Sequence, residues 1–411
     1  MSPAWAALLN STSIQGFELD DWHAEAPLHS NAIILPAVLA SAELCKSRIG
    51  KAPSGNDLLL AMIVGYEVGP LVGLGLHGGH VLTMGWHSGA VFGPSAAAAS
   101  VSKLFRSPAP MIEDALGIAC TQACGLMSAQ YESDVKRMQH GFAARNGLLA
   151  AVLAQEGYVG IKQVYERPYG GFLAQFSQGN GKEPQYMPEE ISKDLGSQWK
   201  THGICVKPYA SMAGTHATID CIRALQAEHV EQLSDASKIT GVVIELGEAA
   251  FHHGGWEVER PLTATGAQMS NAYVAATQLI DGDVSLHQFR QDQLEREELW
   301  ELLLKTTCEL NPEFTRLETR VTIHFEDPEC ILQHSIELPY GVKPPLSNGE
   351  IIKKWRELVD GLIEPPRAAE LENLVLNLED CLDIGSINAL MRGLTKSPFT
   401  EEASAPAVVG D

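Results

Sequence analysis

From Pro36 to Gln155 the chain strings together apolar helical runs built largely from small residues, and this restricts the possible folds more than any other feature. Ala96 to Ala99, Ala119, Ala123, Ala143, Ala144, Ala150 and Ala151 leave little side-chain bulk on those runs. Helices with such faces approach one another closely, so the stretch implies a tightly packed, mostly buried helical domain. The runs read as Pro36 to Lys46, with proline at the start where its missing N–H does no harm, then Asn56 to Leu74, capped by Asn56 or Asp57. Ser88 to Leu104, Met111 to Met127 and Gly141 to Gln155 follow. Leu58 to Leu60 and Met62 to Val64 make the second run too continuously apolar for a surface helix.

The pattern changes after a polar stretch rich in Gly, Pro and Lys, Ser177 to Ser197, which reads as a surface connection. Lys238 to Leu246 alternates as a strand does, with some slippage. Arg320 to Glu326 alternates too, and Ile331 to Leu338 returns after an Asp327-Pro328-Glu329 turn. Helical runs at Ala217 to Gln226 and Asn271 to Leu279 accompany these strands, so this part is α+β. Helix resumes at Asn348 to Leu362 and Ala368 to Leu378, and the small, polar residues from Ser397 to Asp411 are expected to be loose. The fold class is therefore mainly α with a smaller inserted α+β domain, divided as 1–200, 201–341 and 342–411.

Charge and cysteine narrow the function. The net charge of −22 disfavours nucleic acid and anionic lipid as partners, and a polyanionic substrate would need a local concentration of Lys, Arg and His. Eight scattered cysteines make no disulfide framework, and Cys120 and Cys124 read as small buried thiols. With no CxxC pair and no HExxH, no metal site is expected. No basic segment followed by an apolar one opens the chain, and the apolar runs are broken by Gly, Glu or His before they reach bilayer length. A soluble, cytoplasmic protein is expected.

Titratable residues gather at breaks just before apolar helices. Between Glu18 and His29 lie the carboxylates of Glu18, Asp20, Asp21 and Glu25 and the imidazoles of His23 and His29. Such a cluster against an apolar helix suits a buried acid–base site, and equally a capped helix start with a solvated acidic loop. His87 stands in a Gly-bracketed turn, Gly85-Trp86-His87-Ser88-Gly89, at a helix start where backbone N–H groups favour an anion. A histidine that merely caps or packs there fits as well. Lys136, Arg137, His140 and Arg145 put positive charge at the entry to another helix, where cations oppose the macrodipole, so a bound anion is one reason for them. Lys207, in Val206-Lys207-Pro208-Tyr209, falls at the junction of the two patterns, although a lysine among such neighbours also snorkels. Tyr273 follows Gln268-Met269-Ser270-Asn271, and alone a tyrosine there is more often core than catalytic.

Taken in order, Glu18-Leu19-Asp20-Asp21…His29, Gly85-Trp86-His87, Lys136…His140-Gly141, Lys207-Pro208-Tyr209 and Ser270…Tyr273 resemble the MmgE/PrpD family of 2-methylcitrate dehydratases and cis-aconitate decarboxylases. The likeness is strongest to its fungal decarboxylases, on Asp20 to Ser30 and Ala115 to Tyr131. The resemblance implies a large helical domain made from both chain ends, a smaller α+β lid inserted between, a homodimer, and an active site in the cleft between domains. It implies His29, His87, Lys136, Lys207 and Tyr273 as catalytic, with Glu18, Asp20, Asp21, His23, Arg137 and His140 binding or orienting the substrate. It further implies a small tricarboxylate substrate, decarboxylation of cis-aconitate to itaconate without a cofactor, a histidine as proton donor, and Lys136 and Lys207 as clamps on the retained carboxylates. A decarboxylase or dehydratase of an alkylated citrate or aconitate uses the same residues. From another class, an inactive relative acting as a helical interaction protein is the alternative. Relatives carry further helices before the point matching Trp5, so an incomplete helical domain is also expected.

Overall fold

Apolar side chains collect into two separate cores. The computed structural model describes residues 1–397, so the tail expected to be loose falls, from residue 398 on, outside the described residues. The first core is helical and is built from Pro3–Gln15, Ser30–Ile49, Gly55–Leu74, Ser88–Leu104, Ala109–Cys120 and Val135–Gln155. Leu378, Ile384 and Ile387, from near the other end of the chain, complete it. The small residues set how closely these helices cross. A Cβ on Gly141 would lie 2.5 Å from the Leu8 carbonyl oxygen, and one on Gly147 would lie 2.4 Å from the Ala97 methyl. Any larger residue at either place would force the helices apart.

The second core packs helices His216–Glu228 and Asn271–Asp281 against a four-stranded sheet. Across the sheet the strands run Thr306–Leu310, Ile239–Leu246, Thr319–Phe325, Ile331–Ile336; the first pair is parallel and the others antiparallel. Val242, Ile244, Leu246, Val321 and Ile323 bury one face. The slippage in the first strand's alternation is a register shift between Ile239 and Gly241, where an extra residue is accommodated.

Several boundaries differ from the sequence expectation. The helix expected from Pro36 begins at Ser30, with Pro36 inside it, because the Asp21 carboxylate accepts the Asn31 N–H at 2.8 Å and caps the first turn from outside. Ser54, rather than Asn56 or Asp57, caps Gly55–Leu74, in a reciprocal pair with Asp57. By length and composition this helix is apolar enough to cross a membrane, contrary to the sequence reading, and half of its apolar window is buried within the protein. The Ser100 hydroxyl donates to its Ala61 carbonyl at 2.7 Å, tying it to the neighbouring helix. Helix Ala109–Cys120 ends well before Met127, and Cys124 beyond it is exposed while Cys120 is buried. Val135–Gln155 starts six residues before Gly141, which places Lys136, Arg137 and His140 on its first two turns.

A second, two-stranded sheet positions the site. Asp21–His23 pairs antiparallel with Ile204–Val206, and the Lys207 N–H donates to the Asp20 carbonyl at 3.1 Å. The acidic stretch near the start of the chain is thereby zipped to the segment that enters the second core.

Candidate active site

Three helices begin at the wall of one cavity. His29 is the residue preceding Ser30–Ile49, His87 the one preceding Ser88–Leu104, and Lys136 lies in the first turn of Val135–Gln155. All three line the cavity together with Glu18. The positive ends of the helix dipoles there favour an anion. The opposite wall comes from the sheet-bearing unit, with Met212, Gly214, Ala250, His253, Met269 and Arg316.

Glu18, 1% exposed, anchors the charges. Its carboxylate accepts from Lys136, Arg137 and Lys207, and from Gln15 Nε2 at 2.7 Å. Burial alone would raise its pKa; the Lys136, Lys207 and Arg137 charges outweigh that and hold it well below the usual carboxylate range. Asp20 is likewise held below its ordinary value, burial being overcome by Lys207, 3.0 Å away, and by His29. His29 Nδ1 lies 2.8 Å from Asp20 Oδ2, so an ionised Asp20 accepts the Nδ1–H hydrogen bond and leaves Nε2 for other chemistry. Arg137 also donates to Gln268 Oε1 at 2.5 Å, and Gln268 donates to the carbonyls of Phe17 and Ala210.

His87 Nδ1 accepts the Ala90 N–H at 3.2 Å, which places its proton on Nε2. Burial, with Lys136 and His29 adding to it, pushes its pKa well down, so the ring is neutral. Burial also brings the Lys136 ammonium down to about 7 against the pull of Glu18. His140 packs edge-on between His29 and His87, at centroid distances of 4.8 and 4.7 Å. Neither of its ring nitrogens has a partner among the described residues, and burial keeps it neutral.

Other residues singled out from the sequence sit elsewhere. Lys207 is fully buried behind the cavity wall rather than on it, because its ammonium is already bound by Glu18 and Asp20. Tyr273 belongs to the second core, where its hydroxyl donates to the Gln288 carbonyl at 2.5 Å, and it does not line the cavity. His23 knits loops together: Nδ1 accepts the Ala26 N–H and Nε2 reaches the Lys200 carbonyl, both at 3.1 Å. Asp21 caps a helix, and burial with the neighbouring Asp20 charge pushes its carboxyl up to about 7.

Sequence reasoning passed over His253, Arg316 and Lys354. His253, in Phe251-His252-His253-Gly254-Gly255, had a visible signal, a histidine pair before two glycines. Arg316 sits in a loop with no motif. Lys354 donates to the carbonyls of Leu19 at 2.5 Å and Lys207 at 2.7 Å, fastening together the two segments that deliver Glu18, Asp20 and Lys207. Glu18, Asp20 and His29 bring three possible metal-ligating atoms within 4.8 Å of one another. Lys136, Arg137 and Lys207 on the same carboxylates would oppose a dication there.

A cavity between a helical unit and a sheet-bearing unit, walled by histidines, lysine and arginine, is the site of an enzyme acting on small anions. The MmgE/PrpD N-terminal domain matches residues 1–185 and the MmgE/PrpD C-terminal domain residues 209–380, and the chain belongs to the MmgE/PrpD family. It is 46% identical to a cis-aconitate decarboxylase-like protein of Aspergillus oryzae, over 95% of this chain and 83% of that protein. Identity to the cis-aconitate decarboxylase of Aspergillus terreus is also 46%, over 97% of this chain and 83% of the relative. The Homo sapiens cis-aconitate decarboxylase is 28% identical over 99% of this chain and 82% of its own length.

Proposed function

We propose that this protein converts cis-aconitate to itaconate and carbon dioxide. The observation that carries the reading is His29, facing the cavity with Nδ1 bonded to Asp20, in a chain 46% identical over nearly its whole length to an enzyme named cis-aconitate decarboxylase. In this reaction the bond between the methylene carbon and its carboxylate breaks and carbon dioxide leaves. The electron pair shifts through the double bond to the carbon bearing the far carboxylate, and protonation of that carbon gives itaconate. Negative charge spreads onto the far carboxylate in the transition state, so positive groups preorganised beside it lower the barrier.

His29 is the proton donor in this reading. An ionised Asp20 fixes its tautomer and balances the imidazolium, the role a carboxylate plays behind any catalytic imidazole. Lys207 keeps Asp20 ionised and so acts through His29 as a positioning residue, in place of the clamp expected from the sequence. Neutral His87 offers its Nε2–H, and Lys136 with the three helix starts offers positive potential to the carboxylates. The test is direct: purified protein supplied with cis-aconitate should release carbon dioxide and itaconate in equal amounts, with or without a metal chelator. No turnover overturns the reading.

We also propose a homodimer joined through the helical unit, in a compartment that keeps thiols reduced. Val135, Phe142 and Leu149, seven residues apart on one helix, form a stripe whose outer two members are exposed, beside exposed Leu126. All eight cysteines are unpaired, which suits a reducing compartment such as the cytoplasm.

A further inference from the structure

Most buried cations around the cavity are already committed to a carboxylate: Lys136 and Arg137 to Glu18, Lys207 to Glu18 and Asp20. A trianionic substrate needs others. Arg316 lies between strands Thr306–Leu310 and Thr319–Phe325 of the sheet-bearing unit and lines the cavity. Its guanidinium makes no ion pair among the described residues; Cys205 and Glu25 act on it only at longer range. Two features of the helical unit receive it. The Trp22 ring lies 5.7 Å from the guanidinium carbon, a cation–π contact. Gly79 supplies the room, since a Cβ there would lie 3.0 Å from Nη1. A guanidinium remains charged in proteins, and removing it from water without an anion is unfavourable, so a prepared but unpaired arginine in a cavity fits an anion that comes and goes.

We propose that Arg316 is the carboxylate-binding residue of the sheet-bearing unit, gripping one substrate carboxylate through two parallel N–H···O bonds while the helical unit holds the reacting end. This rests on the decarboxylase reading and deepens it, because it makes recognition of the third carboxylate depend on one loop. Arg316 then sets specificity for tricarboxylates over dicarboxylates.

The test uses calorimetry, which needs no turnover, on the full chain and Arg316→Ala. The probes are propane-1,2,3-tricarboxylate and two dicarboxylates that each lack one of its carboxylates, glutarate and methylsuccinate. Arg316→Ala should bind the tricarboxylate about ten- to a hundredfold more weakly, the range for a charge-assisted contact. It should bind one of the two dicarboxylates, the one lacking the carboxylate that Arg316 holds, as the wild type does. Equal weakening of all three, or weakening of none, overturns the proposal. If Arg316→Ala does not fold by circular dichroism, Arg316→Lys gives the same comparison, because it keeps the charge and loses the fork. Wild-type turnover of cis-aconitate, assayed alongside, judges the decarboxylase reading separately: its absence rejects that reading and leaves the binding comparison to decide on Arg316.

Discussion

Glu18 has a left-handed backbone, φ +54°, which is unfavourable by roughly 1–2 kcal/mol for a residue with a Cβ. Three cations on its carboxylate hold it there. Glu18→Gln keeps the shape and removes the charge that Lys136, Arg137 and Lys207 share. Breaking a buried pair in this way is worth about 3–5 kcal/mol, so the urea midpoint should fall sharply. Lys207→Ala should destabilise on the same scale and lower kcat through Asp20 and His29, with KM changing less, because Lys207 does not line the cavity. A raised KM at unchanged kcat would restore Lys207 as a clamp. His29→Ala should lower kcat by about a hundred- to ten-thousandfold, the usual range for a positioned acid, again with a smaller effect on KM. Asp21 gives a pH signature. Its folded pKa of about 7 lies above the unfolded value, so the stability it contributes is full below about pH 4 and is lost as pH rises through 7. Asp21→Asn keeps an oxygen for the Asn31 N–H and no longer titrates. Its urea midpoint should therefore be flatter than wild type between pH 4 and 7 and higher at pH 8; an unchanged slope would place the titration elsewhere.

Among the elements, helix Asn348–Val359 has the least obvious part. A reciprocal pair between Ser347 and Glu350 starts it, and Lys354 on it holds the carbonyls of Leu19 and Lys207. Lys354→Met keeps the stem and loses both bonds. Faster hydrogen exchange at the Lys207 amide, with reduced kcat, is expected; unchanged exchange would show that the two-stranded sheet holds these segments unaided. Much of this level was legible in the sequence. Ser88–Leu104, buried almost throughout, is legible to the residue as a nearly unbroken run of small and apolar residues. The strands Ile239–Leu246 and Thr319–Phe325 are legible to within one, because each strand buries one face and its periodicity survives in the letters. Thr306–Leu310 went unseen since none of its side chains is fully buried, so no alternation marks it. His29, His87 and Lys136 were legible as polar breaks before apolar runs, the positions from which a helix start can face a cavity. The facing of Lys207 was not, because its partner Glu18 is 189 residues away along the chain and no local pattern encodes that pairing. Arg316 was hidden because Trp22 and Gly79, which receive it, come from a distant part of the chain, and Tyr273 misled because a helix start looks alike whether it borders a cavity or a core.

At the scale of the whole molecule, a chain of net charge −22 must admit a trianion. It does so by concentrating Lys136, Arg316 and three helix starts on one cavity between two separately cored units. The proposed dimer makes its own prediction: sedimentation at micromolar concentration should give twice the protomer mass, and Leu149→Asp should give the protomer. A wild-type monomer would contradict it. The central claim is that carbon dioxide leaves one carbon of cis-aconitate while a proton arrives at another. Turnover in D2O, read by NMR of the product, tests this most directly. Itaconate carrying one deuteron on the methylene next to its carboxylate, with none on the vinyl carbon, is the expected result. Citraconate, in which the proton goes to the carbon that lost carbon dioxide, or itaconate with deuterium on the vinyl carbon, would contradict it.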